Sequence, residues 1–377
     1  MRRIVPVAVA ASLAGAGAVR AQHELRPPPL VLRGRVAAAD GSPVAGVRVW
    51  VRSGTFADSA DVDPAGAYAF PLQAGGRDSV EVRVGSADTA RAAFLPAYGR
   101  VDRAELLFDV GFVLVPRRWT VRAGPYAGQV VEMDLPRAFR PSCRACSSFF
   151  RFRGGRTAAT RGRVLSWPAQ RFPLRVAFDR DRQGGPQLTA RDSAAFWRAA
   201  RAMEDAVGAE LFRPSSYADA LPREGAADDV VLVRADPALR EAGLTTVISG
   251  AAGITYGAVR VQRASVLSEE AGGRLVAHEL LHAIGIGHTC SWRSVMSEAD
   301  ACPGLRADAP TPEDVAYVQM LLRVLALQRD PALRWGIEAA LDAAGIARPD
   351  DPVVGPQAAR DSAGAPGSTV SLLPRLR

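Results

Sequence analysis

Three of the four histidines in the chain lie in one short stretch, HELLHAIGIGH, from His278 to His288. On a helix, His278 and His282 project from the same face about one turn apart, so both imidazoles can bind one ion. Glu279 is placed to act as a general base toward a water on that ion without being a ligand. Gly285 can adopt a positive φ, end the helix and turn the chain, which brings His288 back as the third ligand. The spacing therefore predicts one catalytic zinc ion.

The same stretch also allows a simpler interpretation as an ordinary buried helix. Another face of the helix is apolar, through Leu280, Leu281, Ile284 and Ile286. A single histidine in such a helix is usually a core residue. However, the chain of 377 residues has only 4 histidines and 35 glycines. Their coincidence at this spacing is expected in fewer than about one in ten thousand such chains. The pattern therefore favours the metal site.

The string H-E-x-x-H-x-x-G-x-x-H resembles that of the metzincin zinc endopeptidases, over about residues 165–325. In that family three histidines bind zinc, the glutamate polarises the catalytic water, and a methionine turn lies beneath the metal. Met296, in SVMS, stands eight residues after the third histidine and matches that turn. Thr289 matches none of the common residues at its position, and Glu298 stands where some subfamilies have a tyrosine. The resemblance therefore assigns the family's catalytic role to Glu279 but no subfamily.

The four cysteines form two local pairs in sequence, which is the connectivity favoured among the three that are available. A disulfide between Cys290 and Cys302 would stiffen the methionine turn, and two free buried thiols are the alternative. Cys143 and Cys146 precede the predicted catalytic domain. A thiolate from this pair could occupy the fourth position on zinc and keep an enzyme latent, whereas a local disulfide or a structural contact is the plainer interpretation.

The elements that must position the site alternate between strand and helix patterns. RFPLRVAFD is followed by a helical stripe of Ala195, Trp197, Ala200, Met203 and Val207, then by DVVLVRA, GITYGAVRVQRA and a helix from near Ser268. Thr311 and Pro312 give strong signals for the start of the next helix. This order predicts an α/β (α+β) catalytic domain over residues 166–328, with a small open sheet. The metzincin resemblance implies that GITYGAVRVQRA is the edge strand for a peptide substrate.

The chain before this domain has a different pattern. Residues 30–115 contain short alternating segments such as VRVWV and VEVRV, which predict an all-β sandwich and hence a multidomain protein. They resemble carboxypeptidase-regulatory-like, transthyretin-like domains through Gly34, Val36, Asp40, Gly41, Pro43, Gly46, Asp63, Gly66 and Tyr68. That resemblance implies an accessory module without chemistry of its own. Residues 116–165 are predicted to be an irregular connector or pro-segment, residues 329–346 a further helix, and residues 347–377 a poorly ordered tail.

The N-terminal segment and the net charge indicate where the protein is located and which partners it binds. Residues 1–21 have the pattern of a secretory signal peptide, and no later segment is apolar for long enough to span a membrane. The formal charge is +8, and it falls to +5 without that segment because Arg2, Arg3 and Arg20 are lost. Every basic residue is arginine, and the arginines are scattered through the chain. This distribution does not predict a nucleic-acid surface.

We therefore expect a monomeric, secreted or periplasmic zinc endopeptidase that acts on peptide or protein substrates. The alternative is a non-catalytic exported zinc-binding surface or matrix protein whose sandwich binds glycan or protein. A serine or cysteine hydrolase is disfavoured because His23, beside the predicted cleavage site, is the only histidine outside the motif.

Overall fold

The structure is a computed structural model that describes most, but not all, of the chain. The described residues are 30–72, 79–102, 106, 109–133, 135, 149, 164–179, 188–215, 229–250, 253–262, 272–290, 292–297, 302, 304–344 and 368–371. The predicted signal peptide, the pair Cys143 and Cys146, and Glu298 lie outside them. No helix among the described residues is long and apolar enough to cross a membrane.

The first part of the chain is all strand. Its strands are β1 Leu30–Ala38, β2 Val47–Ser53, β3 Phe56–Asp61, β4 Ala67–Leu72, β5 Ser79–Ser86, β6 Ala97–Asp102 and β7 Phe112–Leu114. They form two sheets, with strand orders β4-β1-β7 and β3-β2-β5-β6. Every second residue of β2 is buried in a core that both sheets share. The alternation in the sequence therefore correctly predicted a β-rich layer structure around one core.

The residues that carry the resemblance to the carboxypeptidase-regulatory-like family have structural roles in these sheets. A Cβ on Gly34 would lie 1.9 Å from the carbonyl oxygen of Val110, and that oxygen also accepts a hydrogen bond from the Tyr68 hydroxyl. Gly66 has a φ of +81° and lies against the carbonyl of Val36. These glycines permit close backbone approach and a left-handed turn.

Some strands differ from the sequence prediction. The strand β3 at Phe56–Asp61 was not predicted. β3 has the sequence FADSAD, which lacks apolar alternation. It forms an edge of its sheet and pairs only with β2, so tertiary pairing overrides its weak propensity.

The second part of the chain is mixed α/β. Its strands are β10 Leu174–Phe178, β11 Phe212–Pro214, β12 Val230–Ala235, β13 Gly243–Gly250, β14 Gly253–Val261 and β15 Ser368–Ser371, in the sheet order β11-β10-β12-β14-β13-β15. The first four strands in that order are mutually parallel, whereas β13 is antiparallel to both of its neighbours. Helix α1, Ala190–Val207, packs against helix α2, Gly272–Ile284, and α2 packs on β13 and β14. In α1 the fully buried aromatic residue is Phe196 rather than the predicted Trp197.

The predicted irregular connector contains a β-hairpin. Strands β8 Arg118–Thr120 and β9 Val130–Glu132 pair in antiparallel fashion, and Trp119 is completely buried in the core that also contains α2. The indole of Trp119 donates a hydrogen bond to Gln319 (3.1 Å), whose amide donates in turn to the carbonyl of Val207 (2.7 Å). The hairpin is therefore part of the α/β core.

Two further helices follow the motif. Helix α3, Pro312–Leu327, begins with the predicted Thr311 cap, which forms a capping box with Asp314. Helix α4, Ile337–Ala343, lies within the predicted helical range and packs on β6 and β7 of the sandwich. Trp335, just before α4, also pairs with the backbone of the sandwich. Its carbonyl accepts a hydrogen bond from the amide of Val113 in β7 (2.6 Å), and its amide donates to the carbonyl of Gly111 (3.0 Å).

The tail and the edge strand differ from expectation. Residues 347–377 were predicted to be poorly ordered, but β15 forms within them and pairs with β13. Most of the remaining tail lies outside the described residues. The prediction that GITYGAVRVQRA is the edge strand was wrong, because β14 lies between β12 and β13. The strand after β12 in the chain, β13, is the one that pairs with the last described strand.

Candidate metal centre

Helix α2 presents its histidines on one face and buries another. Val276, Leu280 and Ile284 are almost completely buried in the α/β core. His278 and His282, four residues apart, share a different face, and their ring centroids lie 4.6 Å apart. The apolar residues therefore pack the helix into the core, and the histidines lie on a face that this packing does not use.

The helix ends as the sequence predicted. Gly285 follows the last helical residue with a φ of +108°, and the amide of Ile286 donates to the carbonyl of Leu281 (2.9 Å). A Cβ at Gly285 would lie 2.0 Å from the carbonyl oxygen of Leu165. Glycine is required twice here, for the left-handed backbone and for this close approach. The turn brings His288 back beside the helix.

The three imidazoles converge through their Nε2 atoms. The Nε2–Nε2 distances are 3.1 Å between His278 and His282, 3.0 Å between His282 and His288, and 3.2 Å between His288 and His278. Tetrahedral zinc with Zn–N bonds of about 2.05 Å places its nitrogen ligands about 3.3 Å apart. The three nitrogens form a triangle of nearly that size, so these residues can hold a metal ion.

The other ring nitrogens fix the tautomers. Nδ1 of His278 lies 2.7 Å from the carbonyl oxygen of Val295, and Nδ1 of His282 lies 2.9 Å from that of Ile286. A carbonyl only accepts, so each Nδ1 carries the proton and each Nε2 presents a lone pair. Burial, with a smaller effect from the neighbouring imidazole, lowers the pKa of His278 to about 3, and burial likewise lowers the pKa of His282. Both rings are therefore neutral and able to coordinate at neutral pH.

The methionine turn is tied to this site by hydrogen bonds. Met296 is 1% exposed, and its backbone amide donates a hydrogen bond to the Ser294 hydroxyl oxygen (2.8 Å). The buried carboxylate of Asp314 accepts hydrogen bonds from the Ser294 hydroxyl and from the amide of Val295 (3.2 Å). Because the Val295 carbonyl accepts from His278, α3 supports a metal-site histidine through this turn.

A disulfide brackets the turn. Cys290 and Cys302 are bonded, with their Cα atoms 5.2 Å apart, as the local pairing predicted. Thr289, just before this disulfide, is buried, and its amide lies 3.3 Å from the carbonyl oxygen of Met296. The predicted latency pair, Cys143 and Cys146, stays a prediction because it lies outside the described residues.

Glu279 points toward the sheet. Its side chain is 3% exposed, and its Oε2 accepts a hydrogen bond from the hydroxyl of Thr245 on β13 (2.8 Å). Burial raises the pKa of Glu279 to about 7, and the hydrogen bond from Thr245 opposes that rise. A carboxylate that titrates near neutral pH is suited to take up and release a proton. Thr245 is therefore the described hydrogen-bond partner of the Glu279 carboxylate.

Two residues that support Glu279 were not predicted. A Cβ on Gly243 would lie 2.7 Å from Oε1 of Glu279, so the space beside this carboxylate depends on glycine. Thr245 and Gly243 precede Glu279 by more than thirty residues in sequence. Their contacts with Glu279 depend on how α2 packs on β13, and no local sequence motif predicts that packing. The support that Asp314 gives to the methionine turn was likewise not predicted.

Comparison of the chain with protein-family models, with curated proteins and with solved structures gave no match. The described site consists of three converging imidazoles and a buried carboxylate on the same helix. The three imidazoles can bind a metal ion.

Proposed function

We propose that the protein is a zinc-dependent endopeptidase. The observation that carries this proposal is the triangle of Nε2 atoms, 3.0 to 3.2 Å on each side, with the non-ligand Glu279 on the same helix. Three converging imidazoles suit several transition metals, and three protein nitrogens with a further open position are the usual donor set of catalytic zinc.

Zinc held by His278, His282 and His288 would supply Lewis acidity and an activated water. The chain's own contribution is the proton path. Glu279 accepts a proton from the attacking water and returns it to the leaving amine. Thr245 holds one carboxylate oxygen through its hydroxyl, so that Glu279 approaches the reaction from a fixed orientation.

The resemblance to metzincins supports this proposal through the motif and through Met296. The methionine lies in a turn whose Val295 carbonyl accepts a hydrogen bond from His278, as expected of a turn that supports the metal site. The sandwich is proposed to be the carboxypeptidase-regulatory-like accessory module. The predicted signal peptide, together with the disulfide between Cys290 and Cys302, supports export to the periplasm or beyond.

The proposal is tested on the purified full chain by metal analysis and by cleavage of a peptide library. We expect one zinc per chain, cleavage within peptides, and loss of cleavage on treatment with a chelator that is reversed by added zinc. Mass spectrometry of the enzyme's own N-terminus in the same samples reports processing. A zinc-loaded protein that cleaves none of the peptides would contradict the proposal and favour a non-catalytic zinc-binding protein.

A further inference from the structure

The outer edge of β13 is occupied by another part of the same chain. Thr246 to Ser249 pair in antiparallel register with Ser371 to Ser368 of β15. The opposite edge of β13 pairs with β14 along its whole length, from Gly243 to Gly250. A strand has two hydrogen-bonding edges, so any extended peptide that adds to β13 must use the edge that β15 occupies.

This edge runs beside Glu279. The register advances from Ser249 toward Thr246 as β15 advances from Ser368 to Ser371. The next residue of β13 is Thr245, whose hydroxyl lies 2.8 Å from the Glu279 carboxylate. Neighbouring strands lie roughly 5 Å apart, so the backbone of Ser371 is one strand spacing and one residue away from the residue that contacts Glu279. A peptide that extended along this edge beyond the position of Ser371 would therefore reach Thr245, the strand residue that contacts the candidate catalytic base.

The pairing between β13 and β15 is short. β15 has four residues, lies at the end of the sheet order and pairs only with β13 among the described strands. Its sequence, STVS, offers valine as its one large apolar side chain. A short edge strand with little apolar area is marginal in isolation. Ser368 follows α4 by about 25 residues, and a connection of that length keeps a tethered strand at a local concentration on the order of millimolar.

We propose that Ser368–Ser371 is an internal competitor, which occupies the β13 edge and must leave before another extended peptide can bind there. A regulatory role for this segment depends on the proposed peptidase function. The occupation of the β13 edge by β15 does not depend on it. Competition lowers the apparent affinity for a peptide by the fraction of molecules in which the edge is free.

The test uses the full chain with two pairs of substitutions in β15. The double variant Thr369→Pro with Val370→Pro removes both backbone donors at the centre of the strand. The matched control, Thr369→Ala with Val370→Ala, changes the same side chains and keeps both donors. The probe is a fluorescein-labelled peptide with the sequence of residues 367–373, GSTVSLL, and its binding to the zinc-loaded proteins is measured by fluorescence anisotropy.

We expect the proline variant to bind the probe at least about fivefold more tightly than the wild type and the alanine control. Hydrogen exchange at the amides of Thr246 to Ser249 should be faster in the proline variant when no probe is present. Equal affinities for all three proteins, including no binding by any of them, or unchanged exchange at these amides would overturn the proposal.

Steady-state kinetics separate the two claims. For a cleavable peptide, release of the competitor should lower KM by a similar factor and leave kcat unchanged. If no variant cleaves any peptide but the probe binds more tightly to the proline variant, the peptidase function fails and the internal competitor stands. If cleavage is efficient and the proline variant matches the wild type in KM and in probe affinity, the competitor fails and the peptidase function stands.

Discussion

At the residue scale, the contact between Thr245 and Glu279 governs the protonation of the candidate base. The Thr245 hydroxyl favours the charged carboxylate, whereas burial favours the neutral acid. Thr245→Val keeps the shape of the side chain and removes the hydroxyl. Because the carboxylate loses this hydrogen bond, the pKa of Glu279 should rise. The acidic limb of the pH dependence of kcat/KM should then move to higher pH by roughly 0.5 to 1 unit.

Thr245→Ser is the matched control, since it retains the hydroxyl. We expect its acidic limb to stay close to that of the wild type, and zinc content to be unchanged in both variants. A Thr245→Val enzyme whose pH profile overlays the wild type would show that this hydroxyl has no part in setting the protonation of Glu279.

The convergence of the three histidines could be predicted from the sequence because it is local. His278, His282 and Gly285 lie within one helix and its end, where spacing alone determines which side chains share a face. The support of Glu279 by Gly243 and Thr245 could not be predicted, because it arises from packing between elements that are distant in sequence.

At the scale of the element, the end of α2 depends on Gly285. Gly285→Ala places a Cβ at a φ of +108° and 2.0 Å from the Leu165 carbonyl. We expect a loss of about 3 kcal/mol or more in the free energy of unfolding, together with weaker zinc binding because His288 is displaced. Thermal or denaturant unfolding and a competitive zinc titration measure the two effects.

Gly273 on the same helix provides the control for this substitution. It is exposed, and a Cβ there meets nothing within 4 Å. Gly273→Ala should therefore stabilise the protein by about 0.5 to 1 kcal/mol, because glycine is unfavourable within a helix. If Gly285→Ala behaves like Gly273→Ala, the turn does not position the third histidine as we describe.

The strands illustrate which elements a sequence specifies. In β2 and β5, buried residues alternate with less buried ones over most of the strand, and the positions of both strands could be predicted. The sequences of β3 and β15, FADSAD and STVS, have no alternation of apolar residues, and each strand pairs along the edge of a neighbouring strand. Edge strands are the elements whose sequence is least constrained by a core, so local patterns specify them poorly.

At the scale of the whole molecule, the hairpin β8–β9 packs in the core of the α/β part of the chain, although the sequence predicted it to lie in a separate connector. Trp119 is fully buried, and Gln319 links its indole on one side to the end of α1 on the other. Burial of a tryptophan contributes several kcal/mol. A chain that begins at residue 166 lacks this hairpin, so we expect it to be insoluble or to lose the cooperative unfolding transition.

Because the hairpin is buried in the α/β core, proteolytic activation should not remove it. An active enzyme should retain residues 118–132, whatever else is removed from its N-terminal half. Mass spectrometry of the active species tests this expectation, with unfolding followed by circular dichroism. An active, cooperatively folded fragment that begins after residue 135 would show that the hairpin belongs to a removable pro-segment.

The most direct test of the account is the substitution Glu279→Gln, which removes the proton acceptor and leaves the three histidines in place. We expect the Glu279→Gln protein to bind one zinc per chain, to unfold at a midpoint close to that of the wild type, and to cleave peptides about a thousandfold more slowly. A Glu279→Gln protein that binds zinc and cleaves the same peptides at the wild-type rate would contradict the proposed function.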